Sequence, residues 1–276
     1  MIDLHTHILP GIDDGAADLS VSLAMAIAAV ADGVTHLACT PHILPGLYHN
    51  AGPQIRQATQ ALQRALDEHG IPLKLVSGAD IHIVPDFVEG LRSGRLLSLG
   101  DSRYVLVEPP HHTAPPRLEE VFFNLIVAGY VPILTHPERL SWIKSHYAMF
   151  QRLGEAGVWM QVTAGSLSGA FGRSAQYWAE RMLEEGRVHI LATDCHDTER
   201  RPPNLSRGRD LAAVRVGDSE ARHLVVTRPG GILSNVAPND LPIPAAVAPA
   251  SRAAGPDRAS HAGGGGFSRR LRRLFE

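Results

Sequence analysis

Seven short runs, apolar along nearly their whole length, punctuate the first 194 residues, with longer amphipathic stretches between them. They read IDLH (2–5), VTHLACT (34–40), LKLVSG (73–78), YVLVE (104–108), VPILTH (131–136), VWMQVT (158–163) and VHILATD (188–194). A strand with one wet face alternates polar and apolar residues; a run apolar throughout is a strand buried on both faces, as in a parallel sheet covered by helices. The stretches between carry helix signals. In LSVSLAMAIAAVADG, Asp18 is placed to cap the start and Gly33 to end the helix in a left-handed turn. Comparable units span 54–70, 117–129 and 174–186, the last two ending at Gly129 and Gly186. Seven such units predict an α/β fold closed as a distorted (β/α)7 barrel in preference to an open doubly wound sheet. No G-x-G-x-x-G follows the first strand, which argues against a dinucleotide site.

The chain has 276 residues, 44% hydrophobic and 20% charged, enough for one large core, and residues 1–242 are read as a single domain. Near residue 242 the composition shifts to PIPAAVAPASRAAGPDRASHAGGGG, which cannot bury a core and predicts a disordered linker. It leads to FSRRLRRLFE, so 243–276 reads as a Pro/Ala/Gly-rich linker with a basic tail. Phe267, Leu271, Leu274 and Phe275 share one helical face among four arginines. The plain reading of that tail is a solvated terminus; the sharper one is an amphipathic helix making a peripheral membrane contact through 267–276.

A formal net charge of -2 gives no field to gather nucleic acid, and no nucleic-acid partner is expected. Two cysteines, Cys39 and Cys195, suit a reducing cytoplasm better than a disulfide framework. The N-terminus shows neither a basic n-region nor a long apolar h-region, and stretches such as Leu23–Ala31 are too short to span a bilayer. The expected location is cytoplasmic.

Chemistry enters with the histidines, 15 in all. Chance alone gives roughly one H-x-H pair at that density, so the pair in LHTH needs company. It has it at the carboxyl end of nearly every predicted strand. His5 and His7 close the first, His42 follows the second in CTPH, and Asp80 follows the third in SGAD. Glu108 ends the fourth, His136 ends the fifth, and Asp194 and His196 follow the seventh in ATDCH; Asp14 joins from the first loop. The carboxyl ends of parallel strands converge on one face. Four carboxylates crowded there without cations would repel one another, whereas divalent ions relieve that cost and take both imidazole and carboxylate. Nine such groups exceed the coordination of one ion and suit two or three ions bridged by carboxylates, of which Mn2+, Fe2+ and Zn2+ share these ligand types. A multinuclear site of this kind activates water and holds the oxygens of a phosphoryl group. Arg139, in THPER, and Arg201, in DCHDTERRPP, are placed to grip the phosphate.

MIDLHTHILPGIDDGA, CTPH, SGADIHI, the Glu108 strand, LTHPER and ATDCHDTERRPP resemble, in order and spacing, the PHP (polymerase and histidinol phosphatase) superfamily. Within it they look like the CpsB/YwqE-type bacterial tyrosine-protein phosphatases, over about residues 1–235. The resemblance implies a distorted (β/α)7 PHP barrel with a trinuclear, usually manganese-loaded site that dephosphorylates the tyrosine kinase governing capsule or exopolysaccharide export. It further implies His5 and His7 on one ion, Asp14, His42 and His196 on a second, Glu108 and His136 on a third, Asp80 and Asp194 as bridges, and Arg139 and Arg201 on the substrate phosphate. Two stretches depart from the family pattern. Asp80 stands where Glu is common, and the loop after His42, HILPGLYHN, is less polar, with Tyr48 placed toward the mouth of the site.

Rival readings stand beside this one. Histidines can be satisfied core or surface residues, and the two arginines surface ion-pair partners; Arg200, adjacent to Arg201, competes for its role. Asp13 reads as a loop or capping residue, and His82, His111 and His112 match no ligand position. Cys195 to Arg201 satisfies C-x5-R, the signature of thiol-dependent tyrosine phosphatases, but Asp197 and Glu199 stand where such a loop needs glycine and a depressed thiol pKa. At the level of function, the rivals are a PHP phosphoesterase acting on a small monoester such as histidinol phosphate and a silent barrel that binds phosphorylated partners.

Overall fold

Ten strands carry the architecture, all but one of them parallel to their neighbours: β1 (Ile2–Thr6), β2 (His36–Cys39), β3 (His42–Leu44), β4 (Tyr48–His49), β5 (Lys74–Ser77), β6 (Asp80–His82), β7 (Tyr104–Glu108), β8 (Val131–Thr135), β9 (Trp159–Thr163) and β10 (Ile190–Ala192). These belong to a computed structural model that describes residues 1–247; the tail reading at 267–276 lies outside the described residues. β1-β2-β5 form one sheet and β10-β9-β8-β7-β6-β3-β4 the other. The two sheets are one ring. β2 and β3 are halves of a single strand broken at Thr40–Pro41, and β5 and β6 halves of another broken at Gly78–Ala79. Pro41 has no N–H to continue the ladder, which accounts for the first break. Each broken strand starts in the smaller sheet and ends in the larger. The ring closes where Thr6 pairs with Cys195, the Asp194 amide donates to the His5 carbonyl at 2.9 Å, and the His7 amide donates to the Cys195 carbonyl at 2.9 Å. Seven strand positions result, in chain order, as the seven apolar runs predict. The strand at 34–40 thus extends further than its run, and β4, a two-residue hairpin partner of β3, has no counterpart among them.

Helices α1 (Leu19–Ala31), α2 (Gly52–Glu68), α3 (Phe87–Arg92), α4 (Leu118–Val127), α5 (Ile143–Glu155), α6 (Ala164–Leu167), α7 (Gly172–Glu184), α8 (Leu205–Arg222) and α9 (Arg228–Leu233) cover the ring. Asp18 caps α1 by accepting from the Val21 amide at 3.1 Å, and Gly33 takes the left-handed turn after it, with φ +89°.

Period-two alternation sorts the strand residues. One set, including Leu37, Val105, Val107, Leu134, Met160 and Val162, packs with the helices. The other, including Ala38, Tyr104, Leu106, Ile133, Trp159 and Ile190, forms a smaller cluster in the lumen, floored by Ile232 of α9. Continuing the second set by two residues per strand leads from Leu106 to Glu108, from Trp159 to Gln161, and from Ile190 through Ala192 to Asp194. The polar site is therefore the top layer of a lumen whose lower layers are apolar.

Candidate metal centre

β1 departs from strict alternation, and the departure serves the site. Asp3 pairs with Leu37 and Thr6 with Cys39, so β1 holds one extra residue between those pairs. Such a bulge re-aims side chains. Leu4 packs in the lumen cluster, and its neighbour His5 also faces the lumen, with its Nδ1 2.8 Å from Gln161 Oε1. Beyond β1 the chain folds back over His7: the Ala16 amide donates to the His7 carbonyl at 2.9 Å, and a Cβ at Gly15 would stand 2.0 Å from that carbonyl oxygen. Only glycine permits this approach, and it sets Asp13 against His7 (Oδ2 to Nδ1, 2.8 Å) and Asp14 toward His42 and His196. At the far end of β8 and just past β10, His136 (φ +35°) and Asp194 (φ +53°) adopt left-handed backbone. Each costs roughly 1–3 kcal/mol, a strain found where a structure must aim a side chain.

All nine predicted ligands meet in one place. Asp80 Oδ2 lies 3.4 Å from His5 Nε2 and 3.3 Å from His42 Nδ1. Asp194 Oδ1 lies 3.4 Å from His5 Nε2 and 3.2 Å from His7 Nε2. Asp14 Oδ1 lies 3.5 Å from His42 Nε2 and 3.4 Å from His196 Nε2, and Glu108 Oε1 lies 3.5 Å from His136 Nε2. Four donor groups, each with its atoms within 4.8 Å of one another, lie side by side: His5, His7 and Asp80; His7, Asp14, His42 and His196; Glu108, His111 and His136; and His42, His82 and Glu108. A fifth, His5, His136 and Asp194, links the first to the third.

Two histidines stand closer than sequence reasoning places them. His82 Nε2 is 2.5 Å and His111 Nε2 3.1 Å from Glu108 oxygens, whereas His112 is exposed. His82 follows Asp80 by two on β6, the spacing that also relates His5 to His7, and that is the signal available in the sequence. Gln161, lone and polar in an apolar strand, is the other residue the sequence marks without its role being read. Asp13 joins no metal-holding group; it orients His7 and accepts from the His42 amide at 3.2 Å.

The electrostatics fit cations. Oδ2 of buried Asp80 and Oε2 of buried Glu108 face histidine nitrogens, but neither they nor Asp80 Oδ1 find a partner in hydrogen-bond geometry. Ionised carboxylates in that state are costly unless positive charge faces them. Burial lowers the His5 pKa, but Asp80 and Asp194 outweigh it and push it up to about 9. Burial likewise opposes protonation of His42, which Asp80 and Glu108 push up to about 11. Burial and Glu108 raise the Asp80 pKa, yet the facing histidines hold it down at about 2. The cluster as it stands recruits positive charge, the property that suits it to divalent ions.

Asp194 forks. Its Oδ1 faces the histidines, while its Oδ2 accepts from both Arg139 Nη1 and Arg201 Nη2. Arg201, and not exposed Arg200, carries the guanidinium at the site. The phenyl ring of Phe171 lies beneath both arginines, 4.4 Å from the Arg139 guanidinium carbon and 5.9 Å from that of Arg201. The arginines line a cavity of about 260 Å3 whose rim carries Leu44, Leu47 and Tyr48, with Tyr48 stacked on His42 at 5.6 Å. Cys195 is wholly buried in the closing seam, and burial, reinforced by Asp3, raises its thiol pKa, so it can neither ionise readily nor meet a substrate.

Comparison with known proteins follows the same lines. The family profile described as capsular polysaccharide synthesis, CpsB/CapC, matches residues 1–234. The tyrosine-protein phosphatase YwqE of Bacillus subtilis (strain 168) is 38% identical over 201 residues, covering 73% of this chain and 79% of that one. The putative tyrosine-protein phosphatase CapC of Staphylococcus aureus is 30% identical over 202 residues, covering 73% and 79%. Among solved structures, one from the work on YwqE of Bacillus subtilis and CpsB of Streptococcus pneumoniae, described as unique metal-dependent tyrosine phosphatases, superposes with a TM-score of 0.82. It is 34% identical and covers 86% of this chain and 96% of its own.

Proposed function

The chain belongs to the CpsB/CapC family of capsular polysaccharide synthesis, and from that premise we propose that it is a metal-dependent protein-tyrosine phosphatase with its centre at the nine converging ligands. The observation that carries this reading is Asp80, wholly buried and facing His5 and His42 with neither oxygen in a hydrogen bond, below a rim where two arginines converge on one carboxylate oxygen. His5 and His7 would hold one ion, Asp14, His42 and His196 a second, and Glu108 with His136 a third, with Asp80 and Asp194 bridging. Mn2+ is the ion we assign, with Fe2+ and Zn2+ as the competing occupants. Divalent ions so held supply Lewis acidity and lower the pKa of water from about 15.7 toward 7.

The chain's own residues do the rest. Gln161 and Asp13 fix His5 and His7 with Nε2 turned inward. Arg139 and Arg201 bind the phosphoryl oxygens and offset their charge as the bond to the phenol breaks. The apolar rim of Leu44, Leu47 and Tyr48 supports an aryl phosphate over a small polar monoester such as histidinol phosphate. The substrate we assign is a phosphotyrosine protein of the capsule pathway, namely its tyrosine kinase, and the location cytoplasmic, in keeping with two free buried cysteines. Among the described residues, no helix is long and apolar enough to cross a membrane.

The test is metal quantification on protein purified without added metal, then reconstitution and assay on a phosphotyrosine peptide and on histidinol phosphate. The expected result is two to three ions per chain and EDTA-sensitive turnover of the peptide. Turnover untouched by chelation, or confined to histidinol phosphate, overturns the reading.

A further inference from the structure

A second cleft, of about 230 Å3, lies against the metal cavity, and the Arg201 side chain lines both. One wall is the turn of α6 and the segment after it, with Gly165, Ser168 and Phe171; the other is the loop after His196 and the first turn of α8, with Arg200, Asn204 and Arg207. Arg201 directs Nη1 to His196 and Nη2 to Asp194, leaving its buried Nε without a partner. Arg200 and Arg207 are exposed, and neither side chain enters an ion pair with the described residues. Most arginines elsewhere on this surface do pair, such as Arg56 with Asp101 and Arg152 with Glu119. The amino end of α8, capped by Asn204, adds its partial positive charge to the same wall. With Arg201 already paired to Asp194, the cleft sets two free guanidinium groups, those of Arg200 and Arg207, against a single carboxylate, Glu199. A net positive cleft with donors in excess takes an anion.

Its position says which kind. An extended peptide advances about 3.3–3.6 Å per residue, so a side chain within a few positions of a phosphotyrosine in the metal cavity reaches past one guanidinium into the cleft. Phe171, Ala164, Ala170 and Gly165 add apolar surface to its lining. We propose that this cleft is a second anion subsite that takes a carboxylate or a second phosphate on the substrate peptide near the phosphotyrosine, with Arg200 and Arg207 setting a preference for acidic substrates. The proposal rests on the phosphatase reading and names the substrate feature which that reading leaves open.

The metal-loaded full chain is assayed on p-nitrophenyl phosphate and on matched phosphotyrosine peptides whose flanking residues are glutamate, a second phosphotyrosine, glutamine or lysine. The expected result is kcat/KM roughly 5- to 20-fold higher for the anionic peptides than for the glutamine peptide, carried by KM and shrinking as salt rises from about 50 to 500 mM. A larger gain from the second phosphotyrosine than from glutamate identifies phosphate as the preferred anion; the reverse identifies carboxylate. The double variant Arg200→Gln/Arg207→Gln is expected to lose the preference while turning over p-nitrophenyl phosphate as before. Equal kcat/KM across the peptides, or a preference that survives the double variant, overturns the subsite while p-nitrophenyl phosphate turnover leaves the phosphatase standing. Loss of turnover on every substrate, p-nitrophenyl phosphate included, overturns both.

Discussion

At the scale of single residues, the site depends on groups that hold ligands as much as on ligands. His5 can offer Nε2 to a cation only if its other nitrogen carries the proton, and Gln161 Oε1, 2.8 Å from Nδ1, selects that tautomer. Gln161→Leu keeps the volume above Trp159 in the lumen but removes the acceptor. It is expected to lower metal affinity about 10- to 100-fold with the fold intact, measured by metal titration alongside circular dichroism; an unchanged affinity would show that the strand alone orients His5. The convergence of the nine proposed ligands was legible in the sequence because all but Asp14 stand at or just past the end of an apolar run, and the (β/α)7 pattern says that such ends converge. Gln161 was not, because its meaning comes from β1, whose bulge brings His5 opposite it. Nor were the contacts of His82 and His111 with Glu108, since they depend on a break in the third strand and a loop path that the sequence does not specify.

Among the elements, the loop from Ile8 to Ala16 has the most exacting geometry. It must return on β1 closely enough that Asp13 and Asp14 face opposite sides of His7, and the Gly11 amide, donating to the Ala16 carbonyl at 2.8 Å, ties its two arms. Gly15 is where the return comes closest. Gly15→Ala places a methyl group 2.0 Å from the His7 carbonyl oxygen, inside any tolerable contact, so the loop or the end of β1 must shift. The expected cost is about 1–3 kcal/mol in urea unfolding, with loss of metal held through Asp14 and His7. A variant as stable as the parent and fully metal-loaded would mean that the loop moves freely, contrary to the packing described. IDDG reads in isolation as an ordinary turn, and nothing in it announces a carbonyl behind the glycine. The strands were easier to read, because burial on both faces writes itself into composition, whereas the breaks at Pro41 and Gly78 end the apolar runs at 40 and 78 and so conceal β3 and β6, which continue the same two strands.

For the molecule as a whole, the site and the closure of the barrel are one structure. His5 and His7 leave one side of the seam and Asp194 and His196 the other, and the backbone pairing that closes the ring runs through His5, His7, Asp194 and Cys195. Cations shared by those side chains would brace the weakest joint of the ring, where a single bridge replaces the continuous ladders found between β7, β8 and β9. They would also offset the repulsion among Asp14, Asp80, Glu108 and Asp194. Ligand that binds only the folded state stabilises it by about 2.7 kcal/mol at one hundred times its dissociation constant. In a domain of this size that is a rise in Tm of about 5–10 °C on adding Mn2+ to chelated protein, read by differential scanning calorimetry. The coupling has a local signature as well. Hydrogen exchange at the His7 and Asp194 amides should slow by the same factor as at the interior amides of β8, because opening the seam releases the ions as fully as unfolding the barrel does. Much smaller slowing at the seam than in β8 would mean that the seam opens with the ions still bound, so that they stabilise the fold without bracing its closure, and an unmoved Tm would separate the metal centre from the stability of the barrel altogether.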